Sequence, residues 1–263
     1  MKKIITLLIV LVLFLTGCAG ISSFNPATGK KEMIFISTAS EISMGQNVHT
    51  EMLKKYKLSQ DKVKTEKLDA VGQRLASVSD RQDYKYKFYL IDKDEINAFT
   101  TSGANIYMFT GLFDKLKSDD EIAAVLAHEI GHCAAKHVVK RMQAELGYNL
   151  ISSLLLSQIK TEQKQKEQIA SAAGAAMQLA TLGYSRQDEY AADTLSIKYM
   201  YAAKFGPNAI IKVLELLKEN SKGSQGPIIL RSHPYLEDRM ANAKIEIEKQ
   251  KGMPAGSQER SST

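Results

Sequence analysis

The chain has 263 residues and a mass of 29.1 kDa, enough for one large domain or two small ones with buried cores, which excludes disulfide-stapled miniproteins and collagen-like repeats. With 44% apolar, 24% charged and 7% aromatic residues and only two cysteines, it is neither a wholly disordered chain nor a disulfide scaffold. The formal charge of +6 falls to +4 without Lys2 and Lys3, too small a surplus, with no aromatic-basic motif beside it, to indicate nucleic acid.

Lys2 and Lys3 precede an apolar run over residues 4–15 that only Thr6 interrupts. This is the pattern of a signal peptide, too short to cross a hydrocarbon layer that requires ~20 helical residues. The tetrapeptide Leu15-Thr16-Gly17-Cys18 resembles the lipobox of bacterial lipoproteins, which implies cleavage before Cys18, lipid modification of that cysteine and a mature chain of 246 residues. Ala19 resembles the outer-membrane sorting pattern, so the expected place is the bacterial cell envelope, lipid-anchored and facing the periplasm. Residues 1–17 are thus read as signal peptide, 18–38 as an extended lipid-anchored tether, 39–250 as the folded domain and 251–263 as a disordered tail. The remaining thiol, Cys133, lies in an apolar helical stretch and reads as a small core residue rather than a nucleophile.

Helical spacing of apolar residues covers 41–56 and 61–79, with the lysines at 54, 55, 57, 62, 64 and 67 as solvated faces. Residues 84–91 alternate aromatic and aliphatic side chains with lysine, as a half-buried strand does. Segments 96–101 and 105–110 flank Ser102-Gly103-Ala104 and predict a hairpin. Ser118-Asp119-Asp120-Glu121 is a capping-box pattern that opens a helix expected to run past Val139. Two helices are predicted within 141–183, then helices over 185–203 and 208–220 and a last one from Tyr235. The fold class that follows is α+β, mainly helical, with a small hairpin beside the helix opened at Ser118.

That helix carries His128-Glu129-Ile130-Gly131-His132, an H-E-x-x-H motif. Four residues advance an α-helix to within about 40° of a full turn, so both imidazoles leave one face at the separation a single Zn²⁺ needs. Glu129 lies about 100° round from His128, able to reach a water on the metal without ligating it. Gly131 costs about 1 kcal/mol inside a helix relative to alanine, which points to a close approach by another segment. By the same rotation His137 faces away from the metal and reads as a hydrogen-bonded packing histidine, as does His49.

A catalytic zinc site built on two histidines commonly takes a glutamate as its third protein ligand. Glu189 and Asp193 stand four residues apart on one helical face, a repulsive pair unless a cation or imidazole lies against it. The spacing permits Glu189 on the metal and Asp193 as acceptor for a ligand imidazole, with a solvated acidic face as the alternative.

Together H-E-I-G-H at 128–132, S-R-x-x-E-x-x-A-D at 185–193, N-A-F-x-x-x-G at 97–103, N-P-x-T-G-K from Asn25 and His233-Pro234 resemble the M48 family of zinc metallopeptidases, in particular its small single-domain lipoproteins. The resemblance implies a zincin-like fold, one Zn²⁺ per chain on His128, His132 and Glu189, Glu129 as general base and Asp193 behind the ligands. It also implies that Asn97, Ala98 and Phe99 form an edge strand that pairs with extended substrate. His233 is implied to act near the metal, either stabilising the oxyanion or closing the site as a fourth ligand, and Arg239 to pair with the acids or the oxyanion. The expected activity is a membrane-anchored endopeptidase that hydrolyses misfolded or unassembled envelope proteins. The alternatives are an envelope chaperone or assembly factor with a closed zinc site, and a purely structural lipoprotein.

Overall fold

The computed structural model describes residues 22–145, 183–221 and 226–251. The signal segment, Cys18, most of the 141–183 stretch and the tail after residue 251 lie outside those residues. The described part is mainly helical, with two small sheets.

Residues 22–33, expected as an extended tether, form an antiparallel hairpin of β1 (Ser22–Asn25) and β2 (Lys30–Met33) instead. Asn25 closes it: its side chain takes the amide of Ala27 and bonds Glu32, while Gly29 turns the chain at φ 66°. Helix α1 (Thr38–Lys55), capped by Ser37, and α2 (Lys62–Ala76), capped by Asp61, follow the predicted periodicity.

The strand expected over 84–91 is shorter, β3 (Lys87–Ile91), and the predicted hairpin is β4 (Ala98–Thr100) and β5 (Asn105–Phe109), joined by a 3₁₀ turn with Gly103 at φ 72°. β5 is central, parallel to β3 and antiparallel to β4, so β4 is an edge. Alternation then divides the core. Leu90, Met108 and Ala98 face α2 and the motif helix, whereas Tyr89, Tyr107 and Phe99 form a stacked ladder with ring centroids 5.1 Å apart on the side of α1. His49 of α1 completes that ladder, stacking on Tyr89 at 4.3 Å and bonding the Tyr107 hydroxyl, the packing role expected of it.

After the short α3 (Thr110–Phe113), the motif helix α4 spans Asp119–Ala134. Ser118 caps it through the Glu121 amide, but the Glu121 carboxylate accepts from Lys117 rather than Ser118, so only half of the predicted box forms. The reciprocal box occurs at the next helix, α5 (Arg186–Ala202), where Ser185 and Asp188 bond each other's amides. Helices α6 (Ala209–Glu219), α7 (Ile229–Ser232) and α8 (Leu236–Lys251) complete the described chain. Among the described residues no helix is long and apolar enough to cross a membrane.

Candidate metal centre and active site

Helices α4 and α5 meet at Gly131, where an added Cβ would lie 2.7 Å from the carbonyl oxygen of Ala192. The glycine supplies the close approach that its cost in a helix implied. It brings α5 against the face of α4 that bears His128 and His132, and Glu189 and Asp193, three residues before and one after Ala192, face the two imidazoles.

The ring Nε2 atoms of His128 and His132 are 3.0 Å apart, His233 Nδ1 is 3.2 Å from His128 Nε2, and Glu189 Oε1 is 3.1 Å from His233 Nδ1. Glu189 Oε1 lies 3.5 Å from His132 Nε2 and Oε2 lies 3.5 Å from His128 Nε2. One donor atom from each of His128, His132, Glu189 and His233 falls within 4.8 Å of the others, all four side chains buried. Tetrahedral bonds of about 2.0–2.1 Å place neighbouring donors roughly 3.4 Å apart, so the observed spacings fit the edges of a zinc polyhedron. Glu189 Oε2, His233 Nε2 and Glu129 Oε2 are buried with no hydrogen-bond partner, a cost that a cation on Glu189 and a water beside Glu129 and His233 would remove.

The surroundings set the charge. Arg239, from α8, grips Asp193 with Nε at 2.8 Å and Nη2 at 2.7 Å, and its Nη1 lies 2.6 Å from Glu189 Oε2, without the alignment of a hydrogen bond. Burial works against both carboxylates, but the guanidinium and the imidazoles hold Asp193 below, and Glu189 well below, the usual range. Asp193 Oδ1 in turn takes His128 Nδ1 at 2.9 Å, which leaves Nε2 free to bind a cation. Burial and Arg239 oppose a proton on His128, yet Asp193 and Glu189 outweigh them and raise the ring to about 9. Burial lifts Glu129 above the ordinary carboxylate value, and its Oε1 lies 3.5 Å from His233 Nε2. A carboxyl raised in this way holds a proton more tightly than a solvated one does.

His137 corrects the sequence reading. Helix α4 stops at Ala134, and Lys136 takes a left-handed conformation at φ 56° before residues 137–145 resume a helix. Counting 100° per residue past that turn fails, and His137 swings back to put Nδ1 2.9 Å from His132 Nδ1. Lys136 is fastened there by Glu41 of α1, whose buried carboxylate also meets Tyr84 and Arg81. Burial pushes His137 down to about 4, so it is a neutral acceptor for His132, while its Nε2 faces Asp188 Oδ1 at 3.4 Å. Tyr184 stacks on His132 at 3.9 Å and donates its amide to the Ser232 carbonyl, tying α7 to the site. Neither role was visible in the pattern; the only available signal for His137 was the residue count after His132.

Cys133 is buried, 2.9 Å from Thr100 Oγ1, with its thiol pushed up to about 12 by burial, as befits a core residue. Asn97, Ala98 and Phe99 lie at the sheet edge. The Phe109 amide bonds the Asn97 carbonyl and the Thr101 amide bonds the Asn105 carbonyl, each at 3.0 Å. By antiparallel alternation, Ala98 and Thr100 turn their amides and carbonyls outward, away from β5.

The sequence profile of Peptidase family M48 matches residues 62–247. A β-barrel assembly-enhancing protease of Escherichia coli K12 is 27% identical over 241 residues, 89% of this chain and 49% of its own length. The mitochondrial metalloendopeptidase OMA1 of Schizosaccharomyces pombe is 24% identical over 226 residues, 85% and 65% of the two chains, and the metalloprotease LoiP of Escherichia coli K12 is 27% identical over 194 residues, 66% and 70%. The chain thus spans about half the length of the assembly-enhancing proteases it matches.

Proposed function

The chain belongs to Peptidase family M48, and on that premise we propose that the buried His128–His132–Glu189 cluster is the catalytic centre of a zinc endopeptidase. The observation that carries the reading is the convergence of these donors with His233 within 4.8 Å. Zinc held there supplies a Lewis acid for the scissile carbonyl and lowers the pKa of a water toward ~7. Glu129 Oε2, buried and unpartnered, accepts the proton of the attacking water and passes it to the leaving amine. Asp193 fixes the tautomer of His128, and Arg239 keeps the carboxylates charged. Ala98 and Thr100 pair with an extended substrate strand, with Asn97 and Phe99 beside it.

The substrates we infer are misfolded or unassembled envelope proteins, and the location is the envelope, by a lipid at Cys18. Support comes from the lipobox pattern at 15–18 and from the E. coli relative, named for enhancing β-barrel assembly.

His233 favours a second reading of the resting state. With Nδ1 close to both His128 and Glu189 it stands as a fourth donor, and four protein ligands leave no open position. A site so closed is a latched enzyme or, if it never opens, the zinc centre of a chaperone.

Elemental analysis and casein cleavage test these readings together. Wild type is expected to carry one zinc and cut casein, and Glu129→Gln to keep the zinc and lose cleavage by about 10²-fold or more. Full cleavage by Glu129→Gln removes Glu129 from the base role, and metal-free protein indifferent to chelators removes the enzyme. A rise in cleavage on His233→Ala identifies a latch, a fall identifies oxyanion stabilisation, and wild type that holds unfolded clients without ever cutting them identifies the chaperone.

A further inference from the structure

Along β4 and next to the helix that carries His233 lies a cleft of about 360 Å³, which meets the proposed substrate track at Asn97 and Phe99 and whose remaining lining has no assigned role. Much of its wall is apolar, from Val48 and Met52 of α1, Tyr56, and Phe99 of β4, with Asn97 and Thr101 beside Phe99. Ile228 and Ser232 close the far side, and Ser232 is the last residue of the helix that delivers His233.

The rim is charged with one sign in excess. Lys55, Lys93 and Arg231 border the cleft against a single carboxylate, Glu95, which pairs with Lys93. The ammonium groups of Lys55 and Lys93 stand 5.2 and 5.4 Å from the centre of the Tyr56 ring, so two cations lie against one aromatic ring that lines the cleft. Lys55 and Arg231 are exposed and face solvent rather than the core.

Strand geometry links this cleft to the reaction proposed above. A substrate strand bonded to Ala98 and Thr100 shares their alternation, so every second side chain follows Phe99 into the cleft while the others point toward α4. We propose that the cleft is the specificity pocket of the proposed peptidase, holding a large apolar or aromatic substrate side chain and favouring an acidic residue beside it. This rests on the edge strand as the substrate track. The apolar wall supplies the attraction for the buried side chain, and the cationic rim selects the sign of its neighbour.

The test uses two peptides that differ only in Glu or Lys next to a central Phe, and a third with Ala in place of that Phe. Binding is read by fluorescence anisotropy on the zinc-loaded Glu129→Gln protein, and cleavage by kcat/KM of the wild type. The Glu peptide is expected to bind and be cut about three- to fivefold better than the Lys peptide, the size of a partly screened charge contact. The Ala peptide is expected to bind about tenfold more weakly. Lys55→Glu and Arg231→Glu, both at exposed positions where folding is not at stake, are expected to abolish or invert the preference. Equal handling of the two charged peptides, or a preference unchanged by both reversals, overturns the pocket even where casein is cut. Selective binding by a protein whose wild type never cuts any substrate keeps the pocket and overturns the peptidase.

Discussion

The Nδ1 atom of His137 lies 2.9 Å from the Nδ1 atom of His132, so one imidazole of the candidate metal centre is held by another imidazole rather than by a carboxylate. With His132 Nε2 turned to the donor cluster, its Nδ1–H donates to His137, which must therefore stay neutral, as its lowered pKa of about 4 allows. Replacing His137 by Phe preserves bulk but removes the acceptor. Zinc affinity, read by competition with a chromophoric chelator, is expected to fall about 10–100-fold, with His137→Asn restoring part of it. Unchanged affinity in His137→Phe would show that the contact is packing alone.

Gly131→Ala places a methyl group 2.7 Å from a backbone oxygen of α5, and that oxygen cannot rotate aside. The gain in helix propensity of up to about 1 kcal/mol is expected to be outweighed by overpacking of about 1–3 kcal/mol. Thermal melts of the metal-free protein should show the net loss. Zinc affinity should drop as well, because the same displacement moves Glu189 away from the imidazoles. A melt unchanged from wild type would mean that the helices separate freely at this crossing.

Much of this was legible in the chain before its shape was known. The H-E-x-x-H spacing put His128 and His132 on one helical face, and the acid pair at 189 and 193 announced a cation or imidazole nearby, because two carboxylates one turn apart repel unless something compensates them. The order of strands was not legible: nothing in the alternation of residues 84–91 says that β3 joins the far side of β5 in parallel. His137 was misplaced because helical counting assumes an unbroken helix, and a lysine gives no warning of a left-handed turn. Lys136 adopts it through a buried ion pair to Glu41, 95 residues earlier in the chain. The hairpin at 22–33 was hidden for a similar reason, its strands being only four residues each, too short for a periodic signal.

Arg239→Leu leaves Glu189 and Asp193 side by side in the interior with their main counter-charge gone. Breaking such a buried pairing costs about 3–5 kcal/mol, and urea denaturation of the metal-free protein is expected to register it. Arg239→Lys should recover only part, since one ammonium cannot reproduce the fork on Asp193 together with the approach to Glu189. Equal stability of Leu and Arg proteins would show that the carboxylates are neutralised in some other way.

Asp83 gives a pH-dependent contribution whose sign is set by Arg81. The guanidinium bonds Asp83 through Nε at 2.7 Å and Nη2 at 2.8 Å and, against the opposing effect of partial burial, holds its carboxyl below the ordinary value. The folded state therefore releases the proton more readily than the unfolded chain. The contribution is complete above the unfolded value of about 3.9 and disappears as pH falls through the lower folded value. Asp83→Asn is expected to lower the melting temperature at pH 7, with the gap to wild type narrowing as pH falls below about 3.9. A gap of constant size across that range would assign the loss to packing.

The grip of Arg239 on Glu189 and Asp193 also sets a timetable. The motif histidines are synthesised more than a hundred residues before the arginine that neutralises the acids facing them, and α8 is the last helix of the described chain. A chain that has not yet reached Arg239 thus carries the imidazole pair and the facing acids without their main counter-charge. The donor cluster therefore reaches its described charge balance only once α8 has docked.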